Sequence, residues 1–76
     1  MDNASQDAVH PDVDLARSFT RCFRTNDGKK VLDHLQSIAF DRVLTASASE
    51  AQLRHQEGQR ALVARILRLI DRGRAA

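Results

Sequence analysis

The stretch that determines the fold of this chain is EAQLRHQEGQRALVARILRLIDR, residues 50–72. Apolar residues recur in it at steps of three and four, which is the spacing of an amphipathic helix. Its second half is the most hydrophobic part of the chain and contains Leu62, Val63, Ile66, Leu67, Leu69 and Ile70. The pattern predicts a helix from about Glu50 to Arg72 that ends at Gly73, since glycine commonly follows a helix C-terminus.

The apolar surface of this third helix is wide enough for two packing partners. Two adjacent rows run along it, Leu62-Ile66-Leu69 and Val63-Leu67-Ile70. One row is enough to close a small helical fold, so we expect the other to contact a second copy of the chain or another protein. The alternative is that the three phenylalanines cover both rows within the chain. The sequence leaves open which row forms the core.

A seam of alternating three- and four-residue steps extends the second row towards the start of the helix. There it passes through Gln56 and Arg60, so it is strictly apolar only from Val63 onward. Gly58 lies inside the same helix, where glycine is less favourable than alanine by about 1 kcal/mol. We therefore expect Gly58 to serve close packing.

Upstream of this helix, residues 11–24 predict a first helix. Pro11 is tolerated at a first helical position, because its missing N–H has no partner there. An apolar stripe follows at helical spacing, formed by Leu15, Phe19, Cys22 and Phe23. Cys22 is the only cysteine, so it cannot form an internal disulfide, and its place in the stripe predicts a core residue.

The segment Thr25-Asn26-Asp27-Gly28 separates the first helix from a second. Thr25 can cap the second helix by accepting a backbone N–H, and Asp27 complements its dipole. Gly28 then lies early in the helix, where the missing side chain permits close approach of another backbone. Apolar residues at helical spacing continue the helix through Val31, Leu32, Leu35, Ile38 and Ala39.

A loop at residues 45–49 leads into the third helix. It ends in two overlapping capping boxes, Ser47 with Glu50 and Ser49 with Gln52. Between the second helix and this loop, Phe40, Val43 and Leu44 belong either to the helix or to a packed connection, and the pattern leaves both open.

The composition limits the fold class. A chain of 76 residues forms at most one domain, and it contains 3 Gly, 1 Pro, 3 Phe and no Trp or Tyr. No segment alternates apolar and polar residues as a strand does. We expect an all-α protein, a small helical hairpin or three-helix fold with a long C-terminal amphipathic helix, which oligomerises. Residues 1–10 are predicted to be a disordered tail and residues 11–76 a single helical domain.

Charge is distributed unevenly along the chain. Residues 1–14 carry four Asp and no Lys or Arg, which gives −4, whereas residues 54–76 carry six Arg against Glu57 and Asp71, which gives +4. Such polarity suits head-to-tail contacts, an acidic partner or nucleic acid. The arginines that would contact such a partner are Arg54, Arg65, Arg68, Arg72 and Arg74. Helix dipoles and solvation also account for basic residues near a helix C-terminus.

Catalysis is not expected. His10, His34 and His55 lack the spacing of metal ligands, and the chain has no glycine-rich phosphate loop, so we expect no metal and no cofactor. A helical chain of this size is too small to enclose a substrate pocket. It also lacks an apolar run long enough to span a bilayer and a charged-then-apolar leader, which predicts a cytoplasmic protein without a membrane partner.

The two glycine-containing motifs resemble those of short, mostly uncharacterised proteins of tailed phages and gene transfer agents, encoded among packaging and head genes. The first motif is Phe, then Thr or Ser, then Asp-Gly and Val-Leu-x-x-Leu, and the second is Glu-Gly-x-Arg before an Ile/Leu-rich helix. The matching residues are Phe23, Thr25, Asp27, Gly28, Val31, Leu32, Leu35, Glu57, Gly58 and Arg60, followed by Ile66, Leu67 and Ile70. Glu57 and Arg60 are expected to pair with each other or to reach Asp27 and Lys30.

The resemblance implies a component of particle assembly or DNA packaging. Some of these proteins are similar in role to the small terminase subunit, so the resemblance implies either such an adaptor or a head component. The chain lacks an N-terminal helix-turn-helix domain, so the implied role is oligomerisation and docking to a packaging or head protein, in a bacterial cytoplasm or a phage-like particle. The alternative function is that of a small cationic helical protein that either binds nucleic acid or is regulatory, for instance by occluding an acidic or DNA-like surface.

Overall fold

A computed structural model describes residues 11–75 of the chain, and three α-helices contain most of them. Helix α1 spans Pro11–Phe23, α2 spans Asn26–Phe40 and α3 spans Glu50–Ala75. No strand is present in the described range. The predicted all-α fold with a long C-terminal helix is confirmed, whereas the predicted tail at residues 1–10 lies outside the described residues.

The turn between α1 and α2 is built around Thr25, as the sequence predicted. Thr25 has an extended backbone (φ −73, ψ 162), and its hydroxyl oxygen accepts the N–H of Gly28 at 2.9 Å. The same hydroxyl lies 3.1 Å from the carbonyl oxygen of Cys22, to which it donates. One side chain therefore satisfies backbone groups at the end of α1 and at the start of α2.

Gly28 allows the two helices to meet closely at this turn, which confirms its predicted role. A Cβ atom there would lie 2.7 Å from the Cα atom of Phe23 and also collide with the carbonyl oxygen of Cys22. Any larger side chain would push the start of α2 away from the end of α1.

The connection between α2 and α3 is irregular, so Phe40 belongs to the helix, whereas Val43 and Leu44 belong to the connection. α2 ends at Phe40, and the N–H of Asp41 donates to the carbonyl oxygen of Ser37 at 3.2 Å. Val43 lies in the connection with 84% of its surface exposed, whereas Leu44 is half-buried.

One of the two predicted capping boxes forms at the start of α3. The N–H of Ser49 donates to Oε1 of Gln52 at 2.7 Å, and the N–H of Gln52 donates to the hydroxyl of Ser49 at 3.1 Å. Ser47 does not form the predicted box with Glu50, because α3 begins at Glu50 and Ser49 is its N-cap. The hydroxyl of Ser47 instead lies 2.8 Å from that of Thr45. The reciprocal pair fixes the first turn of α3.

Helix α1 packs against the C-terminal part of α3 through small residues. Ala16 is completely buried, and the hydroxyl of Thr20 lies 2.8 Å from the carbonyl oxygen of Ile70 on α3. A Cβ atom on Gly73 would lie 2.7 Å from the carbonyl carbon of Ala16 and collide with the hydroxyl of Thr20. Gly73 thus provides the close approach between the two helices.

Two predictions about these helices are wrong. α3 does not end at Gly73 but continues to Ala75, and no glycine in the described residues has a positive φ, so Gly73 is not a helix terminator. Cys22 is not a core residue but is exposed, and Leu15 is 50% exposed. Because Ala16 and Thr20 approach α3 most closely, α1 is rotated away from the predicted stripe.

Helix α2 runs antiparallel to α3. Near its start, Lys29 and Leu32 share a depression with Ile70 and Arg74 of α3, and at its end the carbonyl oxygen of Ala39 meets the middle of α3. The buried apolar residues of the described chain are few and small or medium in size: Ala16, Ala39, Val63 and Ile70. This core is small for a protein that relies on apolar burial.

Candidate interaction surface

The structure assigns different roles to the two apolar rows of α3. In the row Val63-Leu67-Ile70, Val63 and Ile70 are buried and Leu67 is half-buried. In the row Leu62-Ile66-Leu69, Leu62 is 60% exposed and the other two residues are half-buried. The first row is therefore the core row, and the second faces outward at Leu62.

Leu62 is exposed because the neighbouring helices lie elsewhere along and around α3. The hydrogen bond and the close approach from α1 involve Ile70 and Gly73, about two to three turns further on. α2 meets α3 on the face that carries Gln56 and Arg60. The Leu62 end of the outward row consequently has no covering helix within residues 11–75.

Gly58 lies one turn before Leu62 and differs from the other two glycines. A Cβ atom at Gly58 would meet nothing within 4 Å. The expectation that Gly58 serves close packing is therefore wrong within the chain, where Gly28 and Gly73 have that role. Gly58 and Leu62 together form an exposed strip in which backbone is accessible beside a large apolar side chain.

Other large apolar side chains are also exposed in the described residues. Each has at least 39% of its surface accessible, and they are Leu15, Val31, Ile38, Phe40, Val43, Leu53 and Leu62. Phe19 and Phe23 stack with ring centroids 6.2 Å apart and lie beside Leu69 and Ile70 in the C-terminal half of α3, whereas Phe40, at the end of α2, is 39% exposed. The phenylalanines thus leave the outward row open at Leu62.

An open groove between α1 and α3 adjoins the outward row. Leu15, Phe19 and Leu69 form its apolar floor, and Arg65, Arg68 and Arg72 lie along its edge. Asp12 and Asp71 also line it, and Asp12 pairs with Arg72 at 3.8 Å. The groove therefore combines an apolar floor with a mixed charged edge.

The seam residues Gln56 and Arg60 have a function that the sequence did not reveal. Nε2 of the buried Gln56 donates to the carbonyl oxygen of Ala39 at 2.7 Å, and Nε of Arg60 donates to the same oxygen at 3.0 Å. Nη2 of Arg60 also donates to the carbonyl oxygen of Arg42 at 3.3 Å. Both side chains cap the C-terminus of α2, where a cation also complements the helix dipole.

The residues of the family motifs therefore fall into two separate places. Phe23, Thr25, Asp27 and Gly28 build the α1–α2 turn, whereas Arg60 caps the far end of α2. The described residues show no ion pair between Glu57 and Arg60, and Arg60 faces the end of α2 and not its start, where Asp27 and Lys30 lie. The motifs thus hold the three helices together at the two ends of α2.

The predicted basic contact residues are spread along α3. Arg54 pairs with Glu50 at 3.9 Å near the start of the helix, and Arg74 pairs with Asp71 at 3.5 Å near its end. All of these pairs are largely exposed, so each contributes little to stability. Arg74 also lines a surface depression together with Arg24, which follows α1, and Lys29 of α2. The spacing of residues within one helix could not predict this group.

Residues 11–75 contain neither a metal-binding cluster nor a membrane-spanning helix. No group of three or more His, Cys, Asp or Glu side chains there is placed to hold a metal ion. No helix in that range is long and apolar enough to cross a membrane.

Comparison with known proteins gives one match. A family model described as Bbp19-like phage protein matches residues 19–74, which include every motif residue named above. The matched range contains the second part of α1, the Thr25 turn, all of α2 and nearly all of α3. We found no match among curated proteins or solved structures.

Proposed function

This chain belongs to the family of Bbp19-like phage proteins, and we propose that it is a non-enzymatic component that acts by protein–protein interaction in particle assembly or DNA packaging. The role would be that of a head component or of an adaptor similar to the small terminase subunit, in a phage or a gene transfer agent. Its place would be the bacterial cytoplasm and then the particle.

The observation that carries this proposal is the outward apolar row of α3. Leu62 is 60% exposed, it lies beside the open Gly58, and the row continues through Ile66 to the groove at Leu69. Burying such side chains contributes about 1.5–3 kcal/mol each. Because the core within the described chain is small, a partner on this row would stabilise the fold as well as the complex.

We propose two kinds of partner for this row. The first is a second copy of the chain, which would cover Leu62 and Ile66 with the same residues of its neighbour. The second is a packaging or head protein of the same particle, for which the mixed charged edge of the groove would provide additional polar contacts. Nucleic acid is not needed for either contact.

Two neighbouring substitutions test the proposal because they place the same charge on the buried row and on the outward row of α3. We expect Leu62→Glu to retain helical circular dichroism but to abolish self-association and binding to the packaging or head protein. We expect Val63→Glu to unfold the chain, since Val63 is only 5% exposed and a charge there would be buried.

The measurements are the mass in solution, by analytical ultracentrifugation or light scattering, and pull-down with proteins encoded by the neighbouring genes. A wild-type protein that is monomeric and binds none of them would contradict the proposal. So would a Leu62→Glu variant with unchanged mass and unchanged partner binding.

A further inference from the structure

Three cations from three different parts of the chain meet at one depression in the surface. Arg24 follows α1, Lys29 lies in the first turns of α2 and Arg74 lies in the last turn of α3. The floor of the depression is apolar and is formed by Phe23, Leu32 and Ile70. This site is at the opposite end of α2 from the Gln56–Arg60 cap and does not include the exposed Leu62.

Helix stability does not explain this grouping. Arg24 and Arg74 lie at the C-terminal ends of their helices, where a cation complements the dipole, but Lys29 lies near the N-terminus of α2, where it opposes the dipole. Like charges that share one site also repel each other. The acidic residue that pairs with a member of the group is Asp71, which is 3.5 Å from Arg74 and largely exposed. The arrangement is therefore that of a site for an anion.

The positive surface continues along α1. Arg17, Arg21 and Arg24 follow one another at four- and three-residue steps, so they share one face of α1, and all three are exposed. Arg21 donates to the hydroxyl of Ser18 at 3.1 Å, which directs its side chain along the helix. Residues 15–30 contain five Lys or Arg and one Asp, a net charge of +4. This local charge is larger than the net charge of the whole chain, which is +2.

We propose that this stripe, Arg17-Arg21-Arg24 with Lys29 and Arg74, binds the phosphates of a nucleic-acid backbone. Successive arginines of the stripe are separated by about 4.5–6 Å along the helix axis, and the stripe ends at the three-cation depression. Such a row of exposed cations suits a line of phosphates better than a single anion. The aromatic ring at the end of the stripe, Phe23, stacks with Phe19 in the floor of the depression. The ligand is therefore a duplex recognised through its backbone, without sequence preference, and not a strand whose bases stack on the protein.

The experiment measures binding of a labelled DNA duplex of unrelated sequence by fluorescence anisotropy over a series of salt concentrations. We expect the logarithm of the association constant to fall linearly with the logarithm of salt concentration. Arg24→Gln should reduce the magnitude of that slope by about 1, and the combined variant Arg17→Gln, Arg21→Gln and Arg24→Gln by about 3. Leu62→Glu should bind the duplex as the wild type does.

Arg42→Gln is the matched control, because it removes one exposed arginine at the far end of α2, beside the start of α3. It should leave the slope unchanged. The proposal is overturned if Arg42→Gln weakens binding as much as Arg24→Gln, or if the wild type does not bind duplex at low salt. It is also overturned if the pair Arg65→Gln and Arg68→Gln changes the slope and the α1 variants do not.

Inorganic phosphate distinguishes a strand from a single phosphate group. At matched ionic strength, phosphate should compete with the duplex no better than chloride does. Stronger competition by phosphate would show a site for one phosphate and would overturn binding of a strand.

Discussion

The two halves of α3 hold their neighbours in different ways. The C-terminal half contacts α1 through Gly73, where the absence of a side chain allows the backbone of Ala16 to come close. The N-terminal half contacts α2 through long polar side chains, Gln56 and Arg60, which donate to the carbonyl oxygen of Ala39. The first contact depends mainly on shape and adds one short hydrogen bond, from the hydroxyl of Thr20 to Ile70, whereas the second depends on the hydrogen bonds of long side chains.

The comparison shows why the two glycines of α3 are not equivalent. Gly73 lies where α1 approaches α3 closely. Gly58 lies in the N-terminal half of α3, which contacts α2 through the long side chain of Gln56. A Cβ atom at Gly58 would therefore have open space around it. The same residue type on one helix is therefore a packing requirement at one position and a local weakness at the other.

The largest effect is expected for Gly73→Ala. The added methyl group would collide with backbone atoms of Ala16, so α1 and α3 must separate. We expect a loss of about 1–3 kcal/mol in the free energy of unfolding, after the gain in helix propensity is included. Urea denaturation followed by circular dichroism measures it. An unchanged midpoint would mean that α1 does not pack closely at this end of α3.

An intermediate effect is expected at the α2 cap. Gln56→Leu leaves the carbonyl oxygen of Ala39 with Arg60 as its donor, so we expect a loss of about 1 kcal/mol. Removing both donors, by Gln56→Leu with Arg60→Met, should cost more than the sum of the single changes, because the buried acceptor then has neither. A double-mutant cycle of unfolding free energies measures the coupling. Simple additivity would show that the two side chains do not share this acceptor.

The smallest effect is expected for Gly58→Ala, and its sign is opposite to that of Gly73→Ala. The new methyl group faces open space within the chain, and alanine favours the helix over glycine by about 1 kcal/mol. The thermal midpoint should rise by several degrees when it is measured in the Leu62→Glu background, where the proposed partner contact is removed. A lower midpoint there would place a close neighbour at Gly58 within the chain.

The sequence predicted most of the local structure correctly where one segment contains the necessary information, and the Ser47–Glu50 box is the local prediction that failed. The Thr25 cap, the close approach at Gly28 and the Ser49–Gln52 box each involve residues within a few positions of one another, and all are present. The predictions for Gly73, Gly58 and Cys22 failed because each depends on where another helix crosses. Periodicity gives the apolar side of a helix but not which residue of that side the neighbour approaches.

The same limit applied to the candidate surface. The six apolar residues of α3 were found from spacing, but their division into a core row and an outward row required the positions of α1 and α2. Arg60 was expected to pair with a carboxylate, whereas it caps α2, since a backbone carbonyl group has no signature in the sequence. Arg24, Lys29 and Arg74 were not grouped because they belong to the α1–α2 turn, to α2 and to α3.

The contact between Thr20 and Ile70 has a consequence for biosynthesis. These residues are 50 positions apart in the chain, so α1 cannot dock until α3 has been synthesised almost to its end. Until then Phe19 and Phe23 have no partner on α3, and the nascent chain exposes them. Closing so long a loop is also slower than forming the Thr25 turn, so α1 docks onto α3 after the α1–α2 turn has formed.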